Sequence, residues 1–292
     1  MLKVKSSMKI GIALSGGGIR GIAHAGVLKA LEENDIKISA LGGTSSGSLV
    51  AILYAMGYSP YHIYILFKRY AKTITGLEGK QIISGIGSFV TNKKVGISGL
   101  KSGERIENSY NEIAHKKGIK RISDIKMPIV IPAVDVKTSK EYCFVSRIPE
   151  GEEKNKRYIK NIGIGEAIRA SSSFPGLFQP FRYKSYLFLD GGLLDNTPAD
   201  EVRKLGVDKV MAVKFVSDAV DENSGIMDIL MRCIDIMGNK ISDESINTAD
   251  YILNVGTDKT GLLDIEKLDM CYKAGYECAK KHMKEIEKEC KC

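Results

Sequence analysis

A serine between closely spaced glycines is the first feature of this sequence that could do chemistry. Residues 43–47 read Gly-Thr-Ser-Ser-Gly, a GxSxG pattern in which Gly43 and Gly47 flank Ser45. Small neighbours of this kind permit a sharp strand-to-helix turn that exposes the serine hydroxyl, and the N-terminus of the following helix favours negative charge there. The same residues also suit a simple small-residue turn. The position between an apolar stretch and a helical pattern favours a nucleophile.

A second glycine-rich stretch, residues 16–21, reads Gly-Gly-Gly-Ile-Arg-Gly and contains the GxGxxG spacing of dinucleotide-binding loops. That interpretation needs an Asp or Glu at the end of the next strand, about twenty residues on. The next apolar stretch instead ends in Gly42 and Gly43. Glycines at a helix N-terminus can also present backbone N–H groups to an anion. The loop is therefore predicted to hold an oxyanion, and a nucleotide-binding or regulatory module remains the alternative.

A serine hydroxyl needs a base to remove its proton, and histidine is the usual one. Of the four histidines, only His282 follows the other candidates late in the chain, but it lies among lysines on a predicted solvated helix face. His24 has small apolar neighbours, which is typical of a packed core histidine. His62 and His115 lie in a basic segment without distinguishing features. None of the four is predicted to be catalytic.

A carboxylate is the remaining candidate for the base. Asp190 follows the apolar residues 186–189 and precedes Gly191 and Gly192. Functional residues gather at the ends of strands in parallel sheets, which makes Asp190 the best-placed carboxylate. An Asp-Gly pair is also a common turn, so the pair alone leaves both interpretations open.

The elements that must position these residues alternate between strand and helix. Apolar residues 9–14 and 38–41 are typical of strands buried on both faces, whereas residues 19–34 and 48–56 have helical spacing. This alternation predicts a parallel sheet with right-handed crossovers. The other predicted elements are a hairpin of strands 128–136 and 141–146, strands 186–189, 210–215 and 251–255, and helices 61–73, 104–117, 164–171, 197–205 and 265–289.

Composition limits the class of protein. The 292 residues, 43% hydrophobic and 27% charged, suit one domain with a sizeable core. We find no apolar stretch suited to a signal peptide or a membrane span, and therefore expect a cytoplasmic protein. The six cysteines form no CxxC pair, so we expect reduced thiols and no metal site.

The net charge of +8 is concentrated in one segment. Residues 62–126 contain thirteen Lys or Arg against five Asp or Glu, whereas the rest of the chain is balanced. Such a run is commonly a solvated helical surface. Interleaved apolar residues favour peripheral contact with an anionic membrane surface. Nucleic acid is not expected as a partner, because base stacking would require more aromatic side chains.

Taken together, the motifs resemble those of the patatin-like phospholipase family. Members of that family carry a GGGxRG block, a GxSxG elbow and a DG[GA] motif in this order, which correspond here to residues 16–21, 43–47 and 190–192. A fourth block, residues 170–175 (Ala-Ser-Ser-Ser-Phe-Pro), precedes the aspartate as it does in relatives. The resemblance spans about residues 8–205.

The resemblance implies a three-layer α/β/α sandwich with a mostly parallel central sheet. Residues 8–205 would form the catalytic region, with a basic helical insertion at about 61–126, and residues 206–292 would complete the same domain. It further implies a lipid acyl hydrolase that needs no cofactor and acts on phospholipids or other acyl esters. An acyltransferase with the same residues is an alternative.

The resemblance also assigns roles to residues. Ser45 would be the nucleophile and Asp190 the base of a catalytic dyad, which is consistent with the missing catalytic histidine. The implied oxyanion hole consists of Gly16, Gly17, Gly18 and Arg20, and the further motif glycines are Gly21, Gly43, Gly47, Gly191 and Gly192.

Overall fold

The computed structural model describes residues 8–75, 101–216, 232–233, 236–238, 240–257, 260–261 and 263–291. Within these ranges, nine strands form one sheet. The strands are β1 Ile10–Leu14, β2 Ile38–Gly43, β3 Ile129–Asp135, β4 Lys140–Val145, β5 Tyr158–Ile159, β6 Phe181–Tyr183, β7 Tyr186–Asp190, β8 Lys209–Phe215 and β9 Tyr251–Val255.

Helices connect most of these strands. They are α1 Ile22–Glu32, α2 Ser46–Ala55, α3 Pro60–Thr75, α4 Glu104–His115, α5 Ile164–Ser171, α6 Ala199–Lys204, α7 Asp243–Ile246, α8 Leu268–Lys281 and α9 Met283–Lys291. The described segments thus alternate strand, helix, strand, helix over the first two motifs, as predicted.

The strand order is β5-β4-β3-β2-β1-β8-β9, with β7 added to β3 and β6 added to β7. Strands β2, β1, β8 and β9 pair in parallel with their neighbours, and β3 pairs in parallel with β2. The hairpin of β3 and β4 and the pairings of β7 are antiparallel. The sheet is therefore mostly parallel, and the ends of β1 and β2 that carry the two glycine motifs lie on the same edge of the sheet.

The central strands bury both of their faces. In β1, Ile12 and Leu14 belong to a large core that includes residues of α1, α2, α3, α8 and α9, whereas Ala13 belongs to a smaller core beneath α6. Burying a side chain such as Ile12 contributes about 1.5–3 kcal/mol to folding. Helices on both faces of the sheet confirm the predicted α/β/α sandwich.

Helix α6 lies close to the sheet because glycines face it. A Cβ atom added to Gly11 of β1 would lie 2.5 Å from Cγ1 of Val202, and one added to Gly42 of β2 would contact Cγ2 of the same side chain. A larger residue at either position would push α6 outward.

Three predicted elements differ from the structure. The first turn of the helix predicted to begin at Ile19 is a 3-10 turn at Gly18–Gly21. The helix predicted from Thr197 begins at Ala199, and Pro198, not Thr197, precedes it without a side-chain cap. The helix predicted for residues 265–289 divides at His282, whose ring Nδ1 and N–H both contact the Cys278 carbonyl.

Part of the sequence interpretation lies outside the described residues. Of the basic segment 62–126, residues 76–100 are not described. The described part contributes Ile63, Phe67, Ile106 and Tyr110 to the large core. No helix within the described ranges is both long enough and apolar enough to span a bilayer.

The strands that lead to the candidate nucleophile and base share one edge of β3. Strand β4 occupies one edge of β3 from Val130 to Asp135, so β2 and β7 must share the other edge. On that edge β2 pairs in parallel at Ile129 and Val130, and β7 pairs antiparallel with Asp190 opposite Ala133. The carboxyl ends of β2 and β7 therefore approach each other head to head. Asp190 lies at the end of a strand, as predicted, and that strand, β7, runs antiparallel to β3.

Replacing Gly11 with alanine is expected to lower the free energy of unfolding by about 1–3 kcal/mol, because the new Cβ would overlap Val202. Urea denaturation measures this change. Gly256→Ala is the matched control, since nothing described lies within 4 Å of a Cβ there. The double variant Gly11→Ala/Val202→Ala should cost less than the two single costs combined. Strict additivity would argue against a direct overlap.

Candidate active site

Ser45 lies at a strained turn between β2 and α2. It is the residue immediately before α2, and its φ of 51° and ψ of −120° are rare for a residue with a side chain. Such a conformation costs on the order of 1–3 kcal/mol and persists only where the surroundings enforce it. The serine remains partly exposed. The turn is the sharp elbow that the GxSxG pattern predicted.

Two other serines hold the backbone of Ser45. Its N–H donates to Oγ of Ser171 at 3.1 Å. Its carbonyl accepts a hydrogen bond from Oγ of Ser48 at 2.5 Å and another from the N–H of Ser48 at 2.9 Å. The peptide groups on both sides of the Ser45 Cα are thus fixed, which holds its strained φ and ψ.

The glycines of the elbow permit its close packing. A Cβ on Gly47 would lie 2.7 Å from the Ser15 carbonyl oxygen, and a Cβ on Gly43 would contact the Gly47 carbonyl. Since these contacts are to backbone atoms, no side-chain rotation could relieve them. The glycine spacing of the motif therefore follows from the approach of α2 to the end of β1.

The glycine-rich loop lies beside Ser45. A Cβ on Gly16 would lie 3.2 Å from the Ser45 Cβ. The N–H of Gly16 donates to the Asn196 carbonyl at 3.1 Å, so Gly16 does not supply the oxyanion donor that the sequence predicted. The N–H groups of Gly17 and Gly18 make no hydrogen bond to the described residues. These two groups are donors that the loop can offer a ligand.

Arg20 stabilises the loop from beneath. It is 6% exposed, and its backbone N–H and its side-chain Nε both donate to the Gly17 carbonyl, at 3.2 and 3.1 Å. The C=O and N–H of a trans peptide point in opposite directions, so this contact sets the direction of the Gly18 N–H. The guanidinium lies 5.7 Å from the ring centre of Phe215. Arg20 thus shapes the loop of the predicted oxyanion hole, to which the family resemblance had assigned it as the residue that steadies the loop.

His24 supports the same loop and is fully buried. Its Nε2 lies 2.8 Å from the Ser15 carbonyl, and its ring lies 4.7 Å from that of Phe215. Burial lowers the pKa of His24 to about 4, although the hydrogen bond to Ser15 opposes the shift. The ring is therefore neutral, and Nε2 carries the proton because a carbonyl can only accept. The prediction of a packed core histidine is confirmed.

Asp190 is nearly fully buried at the end of β7, with 2% of its surface exposed. Its N–H donates to the Ser173 carbonyl at 3.1 Å, and its Oδ1 accepts the N–H of Gly192 at 2.9 Å. Gly191 packs against the Pro132 carbonyl, where a Cβ would lie 2.5 Å from the oxygen. The two glycines of the motif therefore hold the carboxylate by a backbone donor and by close packing on β3.

Ser45 and Asp190 line one cavity, which has about 800 Å³ of space including the part open to solvent. Its described polar lining comprises Gly16, Gly17, Gly18, Ser45, Asp190 and Asn196, among others. Its apolar lining includes Ile19, Phe174, Leu177, Phe178, Leu193 and Leu263. Asp190 carries the only formal charge among the described lining residues. The cavity thus combines a small polar centre with a wall suited to a hydrocarbon chain.

Several lining residues carried no signal in the sequence. Asn196 and Tyr70 reach the cavity from distant segments. Burial and the nearby charge of Asp190 raise the pKa of Tyr70 above its usual range, so its phenol stays protonated. Ser172 belongs to the fourth family-like block, which is the one signal that could have marked it.

One group of residues in the described part of the chain could bring three metal-binding atoms within 4.8 Å of one another: Glu141, Cys143 and Glu201. Their atoms already have protein partners. Cys143 Sγ contacts Glu141 at 3.2 Å, and Glu201 accepts hydrogen bonds from Tyr158 at 2.7 Å and Lys204 at 2.6 Å. Cys143 belongs to the smaller core, and none of the three residues lines the cavity.

Comparison with known protein families tests the family resemblance that the motifs suggested. The family model described as patatin-like phospholipase matches residues 12–203, which include the glycine loop, the elbow and the Asp190 motif. The chain belongs to the patatin-like phospholipase family. The family resemblance predicted from the motifs is confirmed.

Curated relatives of this patatin-like chain include lysophospholipases named NTE1. The protein from Candida albicans is 29% identical over 96% of this chain, and that from Saccharomyces cerevisiae is 31% identical over 73% of it. The match covers 20% and 11% of those two proteins, so the chain spans a fifth or less of their length.

Solved structures share the patatin-like fold at low identity. VipD from Legionella pneumophila is 14% identical with a TM-score of 0.52, over 96% of this chain and 67% of that one. ExoU in the ExoU–SpcU complex of Pseudomonas aeruginosa is 18% identical with a TM-score of 0.52, over 98% of this chain and 52% of that one. These similarities support the fold.

The depressed pKa of His24 predicts a pH-dependent stability. Between pH 6.5 and about 4 the unfolded chain binds a proton that the folded chain does not. Stability should therefore fall as pH decreases through this window, by on the order of 3 kcal/mol in total, and be unaffected by His24 above it. His24→Gln, which keeps a donor for the Ser15 carbonyl, should remove this loss. Urea denaturation of both proteins from pH 4 to 7 is the measurement. A wild-type minus variant difference that does not change with pH would contradict the assignment.

Proposed function

We propose that this chain hydrolyses carboxylic ester bonds of lipids, with Ser45 as the nucleophile and Asp190 as the base. The observation that carries the proposal is that both residues line one largely apolar cavity, together with Gly17 and Gly18. A nucleophile, a proton acceptor and backbone donors are the groups that acyl transfer to water requires.

Asp190 is the base favoured by the lining of the cavity. No histidine is among the described residues that line it, and Asp190 is the one carboxylate there. His24 is fully buried, with its ring against Phe215 and Ser15 beneath the loop. A base must come within hydrogen-bonding reach of the hydroxyl that it deprotonates. This favours a two-residue arrangement over a histidine triad.

The proposed reaction proceeds in two halves. Oγ of Ser45 bonds to the ester carbonyl carbon while its proton passes to Asp190, and the carbonyl oxygen becomes an oxyanion. The intermediate collapses, the bond to the alcohol breaks, and the alcohol takes the proton from Asp190. Water then loses a proton to Asp190 as it attacks the acyl-serine, and collapse releases the fatty acid and returns the proton to Ser45.

Gly17 and Gly18 are proposed to stabilise the oxyanion. Their N–H groups have no acceptor among the described residues, and they lie beside Ser45. Arg20 holds the Gly17 carbonyl away from them. Donors that are already oriented cost no rearrangement when charge develops, and removal of one such donor typically costs about 100- to 1,000-fold in rate.

The substrate is proposed to be a lipid because of the apolar wall. Phe174, Leu177, Phe178 and Leu263 offer an acyl chain a surface without charge. The family and the curated relatives, which are named lysophospholipases, support the same class. Because no described Lys or Arg lines the cavity, a phosphate head group would remain outside it.

Substitution of either proposed catalytic residue should abolish ester cleavage. Ser45→Ala removes the nucleophile, and Asp190→Asn keeps the shape of the side chain while removing its capacity to accept the proton. Release of fatty acids from a mixed lipid extract, followed by mass spectrometry, is the measurement. A fluorophosphonate probe should label wild-type protein and fail to label Ser45→Ala. Undiminished hydrolysis by either variant would refute the assignment.

Contact with an anionic membrane surface is proposed through α3. Its exposed face carries Tyr61 and Ile65, which are 61% and 37% exposed, followed one and two turns later by the exposed cations Arg69 and Lys72. Apolar and basic side chains on one helix face suit an interface of acyl chains and anionic head groups.

Sedimentation with anionic liposomes tests this contact. The bound fraction should fall when salt is raised from low to high concentration, since surface charges are screened. Arg69→Gln/Lys72→Gln should bind less than wild type, whereas Lys284→Gln/Lys288→Gln, which removes two exposed charges from α9, should bind like wild type. Equal loss in both double variants would indicate an effect of net charge alone, and salt-independent binding would exclude charge attraction.

A further inference from the structure

The end of α5 touches both proposed catalytic residues. Oγ of Ser171 accepts the N–H of Ser45 at 3.1 Å. Two residues later, the carbonyl of Ser173 accepts the N–H of Asp190, also at 3.1 Å. Ser171 and Ser173 are both fully buried, and neither lines the cavity. The two contacts are therefore structural connections and not substrate contacts.

We propose that the turn from Ser171 to Ser173 is a positioning element that sets the separation of Ser45 and Asp190. The inference rests on the proposed function of those two residues. Ser45 follows β2 and Asp190 ends β7, and the two residues are 145 positions apart in the chain. This turn hydrogen-bonds to the backbone of both residues. Three residues thus link the nucleophile to its base.

Ser171 also helps to maintain the strained backbone conformation of Ser45. The N–H that it accepts belongs to the peptide group before the Ser45 Cα, and Ser48 holds the peptide group after it. Without Ser171, the partly buried N–H of Ser45 would lose its acceptor, and φ of Ser45 would be free to relax from 51° toward a common value. Relaxation would turn the hydroxyl away from the direction in which Asp190 can receive its proton.

Arg169 holds the turn in place. This residue is 2% exposed, and its guanidinium donates to Oγ of Ser173 at 2.6 Å, to the Ser102 carbonyl at 2.7 Å and to the Gln179 carbonyl at 2.5 Å. Oγ of Ser173 in turn donates to the Arg169 carbonyl at 2.7 Å. A planar cation with three acceptors in different segments leaves the turn little freedom.

The chain provides a matched control for Ser171. Ser146 is also buried, and its Oγ also accepts a backbone N–H from a distant segment, that of Ile129, at 3.1 Å. It lies on the far side of β3 from the elbow, where β4 ends, and does not line the cavity. Ser171→Ala and Ser146→Ala therefore each remove the acceptor of a backbone N–H at 3.1 Å, with and without a connection to Ser45. Ser146→Ala also removes the hydrogen bond that its Oγ donates to the Met127 carbonyl at 2.9 Å.

Steady-state hydrolysis of a soluble short-chain ester, normalised by fluorophosphonate titration of active sites, tests the proposal. Ser171→Ala should lower kcat about 10- to 100-fold with little change in KM, because misplacement of a reacting group affects the chemical step. Ser146→Ala should lower Tm comparably and keep the wild-type kcat for each titrated site. Equal kcat values for the two variants would overturn the proposal.

A second pair of variants tests the same proposal if Ser171→Ala does not fold. Ser171→Thr and Ser171→Val have nearly the same shape, so any crowding by the added methyl group is common to both. Only threonine keeps the oxygen that accepts the Ser45 N–H, and it should retain a kcat well above that of the valine variant. Equal activity of the two would refute the role of the hydroxyl. Failure of the proposed function itself would appear separately, as undiminished hydrolysis by Ser45→Ala.

Discussion

The edge of β3 that β2 and β7 share is the constraint on which the site depends. Each strand is held by its own hydrogen bonds to the same reference strand, one in parallel and one antiparallel. Their carboxyl ends can therefore approach each other only along that edge. All seven residues of β3 are buried, and β4 covers the opposite edge, so the reference strand has little freedom to shift. The sheet thereby brings the ends of β2 and β7 close together, and the Ser171–Ser173 turn links the two residues at those ends.

The free-energy cost of the strained turn at Ser45 is similar to the free energy gained from its hydrogen bonds. Its backbone conformation costs on the order of 1–3 kcal/mol. The hydrogen bonds from Ser45 to Ser171 and from Ser48 to Ser45 contribute about 1 kcal/mol each. The cost of the strain and the contribution of the hydrogen bonds nearly cancel, so these bonds alone do not hold the turn firmly. The close packing of Gly43 and Gly47 against backbone atoms must supply the remaining restraint on the backbone of Ser45. The elbow is therefore held by its surroundings and not by its own local preferences.

The sequence predicted those parts of the site that depend on neighbouring residues. The elbow, the glycine loop and the alternation of strand and helix follow from glycine spacing and apolar periodicity over short stretches, whereas the three-layer sandwich followed from the family resemblance. The direction of β7 could not be predicted, because its four apolar residues, 186–189, have the same pattern in either direction. The engagement of the Gly16 N–H by Asn196 and of the Ser45 N–H by Ser171 was equally hidden, since the partners lie 180 and 126 residues away in the chain. The limits of the catalytic region and its insertion remain predictions.

Because the strands before Ser45 and Asp190 both pair with β3, the position of these two residues depends little on the long chain segment between α2 and β3. The paired residues of β2, β3 and β7 lie outside the chain from the end of α2 to the start of β3, although Ser102 in that connection accepts a hydrogen bond from Arg169. Changes of its length that keep Ser102 in place therefore leave the strand pairing unchanged. Natural variants could lengthen, shorten or replace that connection and change what surrounds the mouth of the cavity. Chemistry and substrate recognition could then evolve independently on one scaffold.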